Sequence, residues 1–326
     1  MSILITGGAG YIGSHMVLAA LSRGDDVVVL DNLSTGIRAL VAEEAHFHQG
    51  EVGDKALLKD LFKAYPIDAV IHFAGSIVVP ESVAKPLAYY NNNTMASREL
   101  IEACVDAGVK NFIFSSTAAV YGMPEHNPVT EATDLLPINP YGRSKLMTEW
   151  MLEDASRAYD FRYVALRYFN VAGADPSGRT GQSTPRATHL IKRACQVALS
   201  RVPVLDIFGT DFPTRDGPGV RDYIHVSDLV AAHALALDHL RDGGRSTVLN
   251  CGYGHGFSVR QVVDAVSKVA GHRIATRESP RRPGDAPEIV ADSSKLQGEL
   301  GWRPEHDSLD EIVSTAYAWE RRLNSV

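Results

Sequence analysis

Tyr141-Gly142-Arg143-Ser144-Lys145 sets a phenol and an ammonium four residues apart at the start of a helical pattern preceded by Pro137 and Pro140. At that spacing both side chains project from one helix face. A phenol with a pKa of about 10 is a poor base at neutral pH, but a nearby cation favours the phenolate and brings proton transfer within reach. Taken alone, the pair is equally an ordinary amphipathic helix. A strand-like run, Phe112-Ile113-Phe114, ends in Ser115-Ser116-Thr117, with Thr117 twenty-four residues before Tyr141. There Thr117 can hydrogen-bond a substrate hydroxyl, although the same three hydroxyls would also serve to cap a loop.

A second constellation opens the chain. Ile3-Leu4-Ile5 runs into Thr6-Gly7-Gly8-Ala9-Gly10-Tyr11-Ile12-Gly13, a strand, a glycine-rich turn and a helix start. Gly7 permits the tight turn, Gly10 lets the backbone approach a pyrophosphate, and Gly13 lets the helix pack on its strand while free N–H groups point at the anion. The run Val27-Val28-Val29-Leu30 then ends in Asp31, eighteen residues after Gly13. A carboxylate there takes the two ribose hydroxyls of NAD and repels the 2′-phosphate of NADP.

These groups need a scaffold, and the apolar periodicity supplies one. β-rich runs at 2–6, 27–30, 69–73, 111–115 and 163–167 alternate with helical patterns at 11–22, 55–64, 86–107, 141–157 and 187–200. Such alternation predicts an α/β fold, a doubly wound, Rossmann-like parallel sheet with helices on both faces. After about residue 170 the regularity loosens, and Pro and Gly crowd 173–178 and 213–219. Helical patterns return at 227–240, 258–270 and 309–323, and a short strand at 246–250 is expected to rejoin the main sheet or its edge. The expected division is a cofactor-binding domain over 1–170, joined by parts of 220–250, and a smaller interleaved lobe over 171–326. No internal repeat or low-complexity segment interrupts it.

Composition narrows the partners. The 326 residues are 45% hydrophobic and 22% charged, with a net charge of -7 and no basic cluster longer than Arg281-Arg282, so no nucleic acid is expected. No stretch is apolar enough for a membrane span, and the N-terminus enters a strand without a charged segment and cleavage site, so the chain reads as cytoplasmic. Cys104, Cys195 and Cys251 lack paired spacing, and the twelve histidines form no His-Glu-x-x-His pair, so no disulfide framework and no metal are expected.

With the Phe73-Ala74-Gly75 turn after the third strand, this set resembles the extended short-chain dehydrogenase/reductase family, in which a Ser or Thr, a Tyr and a Lys four residues later carry out hydride chemistry with NAD. Thr6–His15, Val70–Gly75, Leu166–Asn170, Gly219–Val226 and Arg281–Asp285 resemble more narrowly the UDP-glucose 4-epimerase branch of that family, over essentially the whole chain. The resemblance implies interconversion of UDP-galactose and UDP-glucose with no net redox change. Tyr141, as phenolate, would take the proton of the sugar 4-hydroxyl as hydride passes from C4 to NAD; the 4-keto sugar turns over and hydride returns to its other face. Thr117 would orient the 4-hydroxyl, and Lys145 would hold the nicotinamide ribose and lower the tyrosine pKa. The implied cofactor residues are Gly7, Gly10, Tyr11, Ile12, Gly13, Asp31, Asn32, Glu51, Val52, Phe73, Ala74, Gly75, Asn92, Ser115, Tyr141, Lys145 and Tyr168. The implied substrate residues are Thr117, Tyr141, Phe169, Asn170, His189, Leu190, Ile207, Phe208, Arg221, Tyr223, Arg282 and Asp285, with the two arginines on the diphosphate. Their planar forks suit phosphate oxygens independently of any family. The resemblance also implies a homodimer formed through 86–107 and 141–157.

Several positions depart from the branch. Ile77 stands where some members carry lysine, Glu51 where aspartate is frequent, His189 where others have asparagine, and Thr117 replaces serine while keeping the hydroxyl. Ile289 lies where a bulky tyrosine or a small residue limits the sugar end of the pocket, so its intermediate size leaves N-acetylated sugars open. A 4,6-dehydratase would need an Asp-Glu pair directly after the hydroxyl residue, and Ala118-Ala119 stands there. Epimerases of UDP-pentoses or uronates, and a non-catalytic NAD-binding sensor, are the remaining readings; the sensor is at odds with the retained Tyr141 and Lys145.

Overall fold

The computed structural model describes residues 1–184, 188–282 and 285–323. Ile3, Leu4 and Ile5 are all fully buried, as expected of a strand covered on both faces. Seven parallel strands form the sheet, in the order Thr247–Cys251, Arg162–Tyr168, Asn111–Ser115, Ile67–His72, Ser2–Thr6, Asp26–Asp31, His46–Gln49. From Ser2–Thr6 the chain winds first to one edge and then, starting at Ile67–His72, to the other. The reversal leaves a crevice at the C-terminal ends of these two strands, the usual ligand position of an open α/β sheet.

Alternate residues of the strands feed two cores. Ile3, Ile5, Val27 and Val29 pack with Met16 and Val17 of helix Tyr11–Ser22 and Leu229 and Leu237 of helix Val226–Arg241. Leu4, Val28, Val70 and Phe112 face the other way, against helices Lys55–Ala64, Ala96–Ala107 and Pro140–Ala158 through Leu58, Leu100 and Leu152. Truncating one of these, as in Leu4→Ala, would cost about 2–5 kcal/mol.

The smaller lobe contains the parallel pair Leu205–Phe208 and Thr276–Ser279, and a three-stranded patch of Phe257–Ser258, Val220–Arg221 and Glu288–Ile289. Helices Leu190–Ala198, Val259–Ala270 and Leu309–Arg322 enclose a third core with Ile191, Ala194, Val262 and Ile312. The strand expected at 246–250 is the sheet edge Thr247–Cys251. The helix expected over 187–200 is seen as Leu190–Ala198, with 185–187 outside the described residues.

Several features were not foreseen. His46–Gln49 pairs as the opposite edge strand, too short and too rich in histidine to signal itself by periodicity. Lobe strands of two to four residues are below the length at which an alternation registers. The single helix expected over 86–107 is broken into Pro86–Tyr89, a π-helical turn Tyr90–Met95 and Ala96–Ala107. Among the described residues no helix is long and apolar enough to cross a membrane.

Candidate active site

Helix Pro140–Ala158 starts where the sequence says it should. Asn139 caps it by accepting the Gly142 N–H at 2.9 Å, and Pro140 occupies the first turn, where its missing N–H costs nothing. Tyr141 and Lys145 therefore leave the first two turns on one face, and both are buried. A Cβ at position 142 would lie 2.5 Å from the Ala119 carbonyl oxygen, so glycine is what lets this helix close on the 3-10 turn Ala118–Val120. That approach brings Thr117 to Tyr141. The Thr117 oxygen accepts the Ala119 N–H at 3.1 Å, and its hydroxyl hydrogen-bonds the Tyr141 phenol.

Burial pushes the Tyr141 phenol up and the Thr117 hydrogen bond opposes this. Lys145 donates to the Ser115 carbonyl oxygen at 3.0 Å and sits 4.8 Å from the Phe114 ring centre, and burial brings its ammonium down to about 8. In the protein alone the tyrosine is thus a neutral acid at pH 7, and positive charge brought beside it would favour the phenolate.

The glycine turn forms a backbone cradle. Gly7 has φ +71, and a Cβ there would lie 2.7 Å from the Ala74 nitrogen; a Cβ on Gly13 would overlap the Gly7 carbonyl. No side chain caps Gly10 at the start of helix Tyr11–Ser22, leaving that terminus for an anion. Tyr11 is spent otherwise, its buried hydroxyl donating to the Gly173 carbonyl at 2.6 Å. Asp31 takes the Ala9 N–H at 3.0 Å on one oxygen and the Leu33 N–H at 2.8 Å on the other. Each oxygen keeps a lone pair for a ribose hydroxyl. Burial raises the Asp31 carboxyl and the two N–H groups pull it back. Asn32 donates to Glu51 at 3.0 Å beside it, and Val52 is buried nearby in the second core. These residues fit a dinucleotide.

Phe73, Ala74 and Gly75 follow strand Ile67–His72 directly across from Gly7, and a Cβ at Gly75 would lie 3.5 Å from the Lys145 nitrogen. Asn92 donates to Ser76 Oγ at 2.9 Å, and its neighbour Asn93 accepts the Ser76 N–H at 2.7 Å and donates to Ser144 Oγ at 3.0 Å. The π turn explains how two adjacent asparagines reach the same residue, and π turns commonly sit at functional sites. The Tyr168 phenol lies close to the Ser115 side chain. Ser115 donates to His233 Nε2 at 2.8 Å, because Nδ1 of that neutral ring donates to the Leu229 carbonyl at 2.9 Å. Asn93 and His233 escaped the sequence reading: the first lies inside a polar run that looked like helix surface, and the second arrives from a helix more than a hundred residues away from Ser115.

On the lobe side, Asn170, His189, Leu190 and Tyr223 line one cavity with Tyr11. His189 Nδ1 accepts from the Gln182 side-chain amide at 3.2 Å, and burial and Lys192 bring its imidazole down to about 4, so it is neutral at pH 7. Among the described residues Arg221 donates to backbone carbonyls, of Val220 at 2.8 Å and Pro287 at 3.4 Å, and lies within Coulombic range of Tyr223, Arg282 and Asp285. Arg282 pairs with Asp285 at 2.9 Å and stacks 4.8 Å from the Phe208 ring centre. Pro283 and Gly284 of that motif lie outside the described residues. Phe169 is buried against Ile289. Ile207 belongs to the third core, so its backbone rather than its side chain is what a ligand could meet.

Comparison with known proteins agrees with this geometry. The UDP-glucose 4-epimerase of Azospirillum brasilense is 56% identical over 98% of this chain and 92% of its own length. The structure of UDP-glucose 4-epimerase from Bifidobacterium longum, in complex with NAD+ and UDP, superposes with a TM-score of 0.95 at 39% identity, covering 99% of this chain and 98% of that one. The UDP-Glc/GlcNAc 4-epimerase of Campylobacter jejuni superposes with a TM-score of 0.86 at 46% identity, covering 98% and 99%. The sequence profile of the NAD dependent epimerase/dehydratase family matches residues 3–252, and the chain belongs to that family.

Proposed function

We propose that this chain interconverts UDP-galactose and UDP-glucose by oxidation and re-reduction at C4, acting as an NAD-dependent isomerase. The observation that carries the reading is the convergence of Thr117, Tyr141 and Lys145 in a site flanked by a dinucleotide cradle and by the cavity that Asn170, His189, Leu190 and Tyr223 line. Relatives named UDP-glucose 4-epimerase, and neighbouring structures holding NAD and UDP or a UDP-sugar, support it.

NAD, when bound in the cradle of Gly7, Gly10, Gly13 and Asp31, would supply a positively charged ring able to take up the hydride of sugar C4 and return it. Tyr141, adjoining that charge, loses its proton more readily than in the protein alone and takes the proton of the 4-hydroxyl. Thr117 holds the hydroxyl in line and Lys145 binds the nicotinamide ribose. Arg221 and Arg282 grip the diphosphate, Asp285 the uridine ribose, and Phe208 the uracil, so the hexose can turn while its nucleotide stays fixed. Residues 1–170 hold the cofactor, with strand Thr247–Cys251 rejoining them, and 171–326 chiefly bind the nucleotide sugar. Deuterium placed at C4 of UDP-galactose should reappear at C4 of UDP-glucose. Loss of the label to solvent would refute a returned hydride.

Two further readings go with this. Ile289 bounds the sugar end beside Phe169, and we keep UDP-N-acetylgalactosamine as a candidate second substrate. Leu87, Met95, Met147 and Trp150 are exposed apolar side chains on 86–107 and Pro140–Ala158, which supports a homodimer through these helices. Sedimentation should then give about twice the 35.4 kDa of one chain. The three cysteines are buried and unpaired, which fits the cytoplasm.

A further inference from the structure

Glu149 lies one helical turn beyond Lys145 and is 4% exposed, yet no step above uses it. Its carboxylate is gripped from two other elements. Ser116, between Ser115 and Thr117, donates its hydroxyl to Oε1. Arg167, next to Tyr168, closes a fork on both oxygens at 2.6–3.2 Å and is itself 4% exposed. Arg167 also donates to the Tyr121 hydroxyl at 3.1 Å, which donates to Asn250 at 2.6 Å in the edge strand. The charged and titratable groups around Glu149 are Lys145 on its own helix, Arg167 and Tyr163 from strand Arg162–Tyr168, and Tyr121. A buried ion pair gains little net stability, because desolvation offsets the attraction, so placement accounts for this one better.

We propose that Glu149 is a positioning residue for the reaction above: it ties the Ser115–Thr117 strand end to the helix bearing Tyr141 and Lys145, and opposes the Lys145 ammonium with a negative charge. The inference rests on that reaction for its purpose and for its kcat readout, but not for the titration of Lys145. Burial weakens the Lys145 ammonium, and Glu149 is the group that counters it.

Glu149→Gln keeps the shape and removes the charge, leaving Arg167 unopposed. Its kcat should fall on the order of tenfold with KM nearly unchanged, and Lys145 should titrate about one pH unit lower. The titration is read by NMR of ε-carbon-labelled lysine, with the Lys145 signal assigned by its loss in Lys145→Met. Glu149→Gln combined with Arg167→Met removes both charges and should bring the titration part of the way back. Ser116→Ala keeps both charges, and its kcat should fall several-fold with the Lys145 titration unmoved. An unchanged Lys145 titration in Glu149→Gln, or an unchanged kcat in Ser116→Ala, would overturn the proposal. Should Glu149→Gln fail to fold, the double variant decides, since without Glu149 the lysine must still titrate below the wild type. The NMR readout needs no turnover, so a wild type inert toward UDP-galactose is told apart from a failed inference.

Discussion

Around the crevice of the sheet, the groups proposed to face an anion are backbone N–H groups fixed by close approach, as where Gly7 abuts Ala74 and a Cβ on Gly13 would strike Gly7. In the smaller lobe the proposed groups are long side chains, Arg221 and Arg282, carried on a two-residue strand and a loop. A backbone cradle tolerates little change and recognises what all dinucleotides share. Side chains on short elements can be exchanged without disturbing a sheet, so this lobe is where one fold acquires different sugar nucleotides.

That contrast can be broken most sharply at Tyr141, which lies in the sheet half and which the proposed reaction sets between cofactor and sugar. Tyr141→Phe should lose about 10²–10⁴-fold in kcat while the purified protein still carries NAD and still binds UDP in a fluorescence titration. Loss of NAD from this variant would mean that the phenol is part of the cradle. Next in size, Arg221→Met should raise the KM for UDP-galactose on the order of 10–100-fold, with NAD content unaffected. Equal losses of both ligands would erase the distinction between the halves.

The two halves also differ in what the sequence made legible, for the same physical reason. The glycine cradle, Asp31 and the Tyr141/Lys145 spacing are local patterns within a few residues of regular strands and helices, so periodicity and motif place them. His233, Asn93 and the Arg221–Arg282–Asp285 cluster are assembled across long separations. Spacing cannot show these meetings; the arginines were reached by resemblance and the first two not at all. The direction of the Tyr141 shift was also out of reach, because it is set by burial.

A smaller effect tests the junction between the halves. His15 on the cofactor helix, His189 and His225 in the lobe, and His233 beneath Ser115 are each brought by burial from about 6.5 to about 4. The unfolded chain therefore binds more protons than the folded one between these values, so stability is full above pH 6.5 and falls as pH drops toward 4. Each residue contributes up to about 3 kcal/mol across that window. Melting temperatures measured from pH 7 to 4 should decline across that window, and a flat profile would mean that these rings are charged or hydrated when folded. For Lys145 the same comparison runs the other way for activity: kcat should decrease as pH rises through about 8, where the ammonium is lost. Smallest of all, Ile289→Ala should improve turnover of UDP-N-acetylgalactosamine relative to UDP-galactose by less than about tenfold. No change in that ratio would remove Ile289 from the pocket wall.

The most direct test of the account is proton NMR of the purified protein with UDP-galactose and no added NAD, following the anomeric signals. The account predicts that UDP-glucose appears and the two settle at a fixed ratio, the cofactor having been retained and returned unchanged at each turnover. No conversion, either then or after NAD is supplied, would contradict it and leave a fold that binds a dinucleotide without epimerising this sugar.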